Sequence, residues 1–152
     1  MTNIKKRPIF LVVSLLLVFT CIFTAVSIPA SAATPDIMPC LNNALSAQSS
    51  VSISSTGVLT IKNKLQGIPG VTTKTVITTY VEKKVLGLFW KRVDIGQTNN
   101  QWVDTIYNDS YTSSHSVQLS SKGTYRITVK YEISGTGGAV DKIPYEITKT
   151  YG

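Results

Sequence analysis

The chain has 152 residues, with 15 Lys plus Arg against 8 Asp plus Glu, two cysteines and one histidine. That length fits a single globular domain and excludes a multidomain enzyme, and a lone imidazole excludes metal sites built from two or three histidines. The mean hydropathy of +0.14 comes from a nearly all-apolar run at residues 9–28; the rest of the chain is polar and β-prone.

Lys5, Lys6 and Arg7 precede that run, and Pro29, Ala30, Ser31 and Ala32 follow it. A basic start, an apolar helix and small residues at an A-x-A site predict a secretory signal peptide over residues 1–32, cleaved after Ala32. An uncleaved membrane anchor is the alternative, because the run is close to the roughly 20 residues that span a bilayer. Cys21 lies mid-run behind Phe19 and Thr20, which are poor lipoprotein-site residues. Removing the leader leaves 120 residues with 12 Lys plus Arg, 8 acids and a formal charge of +4. Cys40 is then the sole cysteine, so no internal disulfide forms, and it is either an idle thiol or a bridge to another chain. A disulfide-poor export product behind a lysine-rich leader points to a Gram-positive bacterial source and a secreted or cell-wall location. The sequon Asn108, Asp109, Ser110 matters only if that source is wrong.

In the remaining 120 residues Val, Ile, Thr and Tyr number 45 and alanine only four, a usage that favours strands over helices. Residues 33–50 contain Pro35 and Pro39 and read as a flexible lead-in, with at most a helical turn over 41–47. The domain proper is expected over 51–152 as an all-β, antiparallel sandwich of about seven to eight strands. The first strands fall at 51–54 and 58–65, the second with Leu59, Ile61 and Leu65 on one face and Lys62 and Lys64 on the other. Gly67 to Gly70 turn the chain into a long strand over 72–85, apolar on both faces and so central. A hairpin at Gly87 leads to a strand over 88–95, a polar loop over 97–101, and short strands over 102–106 and 112–119. Tyr125, Ile127, Val129, Tyr131 and Ile133 then alternate with polar residues, the pattern of a half-buried strand. Gly135, Gly137 and Gly138 supply the positive φ of a hairpin turn. Pro144 places the last strand, 140–151, on an edge or at a bulge, because proline donates no ladder hydrogen bond.

Leu119, the turn at Gly123 and Tyr125 resemble the corner between two strands in fibronectin type III and immunoglobulin-like sandwiches. In that resemblance the tyrosine hydroxyl bonds backbone upstream and pins the corner between sheets. Leu59 and Ile61 are similar to the paired apolar positions of the family's second strand. The family's tryptophan two residues further along is here Asn63, and the cysteine pair of antibody domains is absent. From the leader to the Gly-rich turn, the chain also resembles small exported Gram-positive bacterial proteins of unknown function. The resemblance implies an immunoglobulin-like architecture and no particular chemistry.

No catalytic, cofactor-binding or metal-binding residues are expected. Ser114, His115 and Ser116 superficially suggest a nucleophile and base, but strand neighbours point to opposite faces, and His115 is expected to face solvent. Asp104 with Asp109, and Glu132 with Asp141, are chance pairs among scattered acids. The chain contains no GxGxxG, P-loop or EF-hand pattern. Lys83, Lys84, Phe89, Trp90, Lys91 and Arg92 put four cations and two rings within ten residues, suited to an anionic cell-wall polymer or a membrane surface. The competing reading packs Phe89 or Trp90 into the sandwich, with the lysines guarding an edge. Nucleic acid is a poor partner for an exported chain of modest charge. The expected role is thus a non-catalytic envelope or extracellular binding module, the alternative being a structural component that associates through its edge strands.

Overall fold

The computed structural model describes residues 41–152, so the expected leader over 1–32, Cys21 and Cys40 lie outside the described residues. Alternating branched and polar residues become eight strands: β1 (Ala44–Ile53), β2 (Val58–Gly67), β3 (Thr72–Val85), β4 (Phe89–Arg92), β5 (Trp102–Ile106), β6 (Ser110–Gln118), β7 (Gly123–Gly135) and β8 (Asp141–Tyr151). One three-residue 3-10 turn, Thr98–Asn100, joins β4 to β5. The strands form two antiparallel sheets, β1-β2-β6 and β4-β3-β7-β8. β3 pairs with β7 along one side and with β4 and β5 in succession along the other, which makes it central, as its two apolar faces predict. β8 is an edge strand, the position expected for Pro144, which stands in register with Lys130 and without a bulge.

The sheets pack face to face because each has one apolar side. Leu59, Ile61 and Leu65 of β2 meet Ile77 and Val81 of β3 and the alternating set Tyr125, Ile127, Val129, Tyr131, Ile133 of β7, all at most 1% exposed. At the β6–β7 crossover Leu119 is buried and the Tyr125 hydroxyl donates to the Ser121 carbonyl, the bond upstream that the corner pattern predicts. Asn63 is fully buried where the family has a tryptophan. Its amide oxygen accepts from Ser49 Oγ at 3.0 Å, and its nitrogen donates to Thr79 Oγ1 at 3.3 Å and Ser113 Oγ at 3.4 Å. An amide is tolerated in this core because both of its ends are satisfied.

The lead-in is the main departure from expectation. Residues 44–50 are strand, not loop or helical turn, so β1 begins at Ala44. Its run of Ala, Ser and Gln carries little strand propensity; β2 supplies the ladder, and hydroxyls from the opposite sheet hold the backbone. Tyr131 donates to the Gln48 carbonyl at 2.7 Å and Tyr145 to that of Ala47. Upstream, Asp141 is buried and accepts the backbone N–H of Asn42 at 2.9 Å and of Asn43 at 2.7 Å. The buried Asn43 side chain donates to the Ala139 carbonyl at 2.8 Å and accepts from the Gly137 N–H at 3.1 Å.

This clasp also revises the role of the Gly-rich turn. Of its glycines Gly138 has a positive φ, 137°, but Gly135 and Gly137 do not. They are needed for closeness: a Cβ on Gly135 would overlap the Val71 carbonyl oxygen, and one on Gly137 that of Asn42. β4 is shorter than expected, ending at Arg92.

Candidate surface-binding site

The β3–β4 hairpin presents the six residues singled out from sequence, but on two faces. Lys84 pairs with Trp90 and Glu82 with Arg92, putting Trp90, Lys84 and Arg92 on the outer face of the larger sheet. Lys83 pairs with Lys91 and Val85 with Phe89 on the other face. Phe89 points inward by alternation yet lies past the end of the core and is 51% exposed, and Trp90 faces away from the sandwich. Neither ring therefore packs into the interior, which corrects that part of the competing reading; β4, which carries Lys91, is an edge strand as the other part expects.

On the outer face the rings are flanked by cations. The Arg126 guanidinium lies 4.6 Å from the Trp90 ring and Lys84 Nζ 5.7 Å from it. Arg92 stacks 3.6 Å over Tyr80, with Lys130 Nζ 5.7 Å from the same ring. Arg126 is oriented by Glu82 Oε2, which accepts from its Nε at 2.9 Å and Nη2 at 2.7 Å, and Glu146 lies 3.6 Å from its Nη1. The hydrogen bond to Glu82 holds this guanidinium above its ordinary pKa. Tyr80, Glu82, Arg126 and Lys130 were not singled out from sequence. They come from β3 and β7, and pairing between strands more than forty residues apart brings them together.

The turn itself is built against its chemistry. Three residues, Leu86 to Leu88, join the paired Val85 and Phe89; the Val85 carbonyl accepts from the Leu88 N–H at 3.0 Å, closing a β-turn in which Leu86 has φ 51° and Gly87 φ 69°. Both central residues at positive φ make a type I′ turn, whose first position normally carries Asn, Asp or Gly. Leu86 and Leu88 are 82% and 80% exposed.

The histidine differs from expectation. His115 does not face solvent: it points toward the sandwich from β6, with Nε2 2.8 Å from Asp104 Oδ2 of β5, both side chains less than one-fifth exposed. Its ring stacks on Trp102 at 5.0 Å and 10°. Ser114 and Ser116 point the opposite way, as alternation predicts. Among the described residues the hydrogen-bonding partner of the ring is Asp104, so the arrangement ties two edge strands together. The other carboxylates stay apart: Glu132 sits outward in register with Lys142, whereas Asp141 is buried in register with Ile133. Among the described residues no group of three His, Cys, Asp or Glu could hold a metal ion, and no helix is long and apolar enough to cross a membrane. A shallow concavity of about 340 Å³ is lined by Leu45, Lys64, Pro69, Asp109 and Ser110.

No protein-family model matches the chain, and neither a curated protein nor a solved structure matches it.

Proposed function

We propose that this chain is an exported, non-catalytic binding module with an immunoglobulin-like sandwich, and that it holds an anionic surface of the bacterial cell envelope through the hairpin end of its larger sheet. The observation that carries the reading is the register at that end. One row across the sheet contains Lys91, Lys83, Tyr125 and Lys149; the row toward the sheet centre contains Arg92, Glu82, Arg126 and Thr148; the row toward the tip pairs Trp90 with Lys84. Those rows hold six cations and one carboxylate, a field that attracts phosphate-rich polymers or headgroups over a Debye length.

The leader over 1–32 supports export, and the strand order and the Tyr125 corner support the immunoglobulin-like class. Self-association through edge strands is the weaker reading, since the exposed side chains of edge strand β8 include Lys142, Pro144 and Lys149, which blunt edge pairing. Charge reversal at Lys84, Lys91 and Arg92 together is expected to abolish salt-sensitive retention on isolated cell walls and anionic vesicles. Undiminished retention of that variant on both would dismiss the reading.

A further inference from the structure

The cationic rows account for attraction but not for what projects beyond them. Past Lys84 and Trp90 the hairpin ends in Leu86, Leu88 and Phe89, exposed at 82%, 80% and 51%. Three large apolar side chains at one tip, contiguous with a basic collar, differ from the scattered exposed leucines and valines of ordinary surfaces. Leu86 moreover occupies a left-handed position that asparagine or glycine fills at lower cost, and its side chain has no core to pack against. A local rule broken without compensation inside the fold points to a partner outside it. A soluble phosphate polymer satisfies the collar and leaves the tip in water. A bilayer satisfies both, because its phosphate layer and its acyl layer are stacked in the same order as the cations and the leucines.

Resting on the binding reading above, we infer that the hairpin is a membrane-inserting wedge. Leu86, Leu88 and Phe89 enter the acyl boundary of an anionic bilayer, Trp90 lies at the interface, and Lys84, Lys91 and Arg92 contact headgroup phosphates. The tight turn keeps the wedge narrow, with only Leu86, Gly87 and Leu88 between the last paired residues, Val85 and Phe89.

The chain has two tryptophans, Trp90 and Trp102, and none in the leader, so fluorescence reads the hairpin even if the leader itself binds lipid. The full chain is mixed with vesicles of phosphatidylglycerol and phosphatidylcholine carrying brominated acyl chains, and the quenching lost in Trp90→Phe is assigned to Trp90. Trp90 is expected to be quenched in anionic vesicles and much less in pure phosphatidylcholine. Replacing Leu86 by Asn and Leu88 by Ser, which keeps every charge and suits the turn, is expected to weaken vesicle binding at least about tenfold and to remove the quenching. Trp90 left unquenched in anionic vesicles, or quenching undiminished in the Leu86→Asn, Leu88→Ser variant, overturns insertion. If the wild-type chain still shows salt-sensitive retention on lipid-free cell walls in that case, the binding reading stands and its partner is the wall polymer; if retention is lost there too, both fail.

Discussion

The two ends of the sandwich solve opposite problems. At the end where Asn42 and Asn43 enter, polar groups are drawn inside and paired, and glycines bring backbones into van der Waals contact. At the hairpin end, apolar groups are pushed outside and cations are set side by side in register. One end spends its unusual residues on holding the chain together and the other on something beyond it. Stability and function should therefore respond separately to substitutions at the two ends.

The largest effect is expected where a Cβ has nowhere to go. Gly137→Ala should lower unfolding free energy by about 3 kcal/mol or more, read as a reduced urea midpoint, while leaving the hairpin's charge field intact. Asp141→Ala removes the acceptor for two amides and should cost about 2–3 kcal/mol, with the Asn42 and Asn43 amides losing protection from hydrogen exchange. A normal urea midpoint in that variant would erase the distinction between the ends.

Tyr131 gives a middle-sized effect with a pH signature. Burial pushes its phenol from the usual 10 up to about 12, against the lowering influence of the Ser49 hydrogen bond. Because the folded state prefers the protonated form, this contribution is complete below pH 10 and is lost as pH rises through about 12. Tyr131→Phe should cost about 1 kcal/mol at neutral pH through the lost bond to the Gln48 carbonyl, and should flatten the fall in stability between pH 10 and 12. An unchanged alkaline profile would assign that fall to other groups.

The smallest and most discriminating effect is a gain. Leu86→Asn relieves the left-handed leucine and should raise stability by about 1 kcal/mol, detectable as a higher melting temperature, while vesicle binding weakens. A residue whose replacement stabilises the fold and damages binding belongs to the functional end; a loss of stability would return Leu86 to the structural account.

Most of the architecture was legible because alternation is a local signal. β3, β5 and the β7 core set fell close to expectation, as branched or aromatic residues mark their inward positions directly. The first part of β1, residues 44–50, was not legible, because its small residues are held by tyrosines that approach from strands more than eighty residues away. His115 was misread for the same reason: a polar strand suggested solvent, and no local pattern discloses that Asp104 and Trp102 lie opposite. The basic hairpin was visible as composition. Leu86 and Leu88 carry no such signal, because their meaning depends on the turn conformation and on their exposure beyond the core.

The entry of the chain has a mechanical consequence. Asn42 and Asn43 bind Asp141 of the larger sheet before β1 joins the smaller one, so the polypeptide is stitched to both layers within a few residues. Tension applied from upstream is met first by two short amide-to-carboxylate bonds and by the tyrosine hydroxyls behind them, not by the open edge of β1. Peeling this strand away, the easiest failure of a sandwich pulled at its first strand, here requires the two layers to part together.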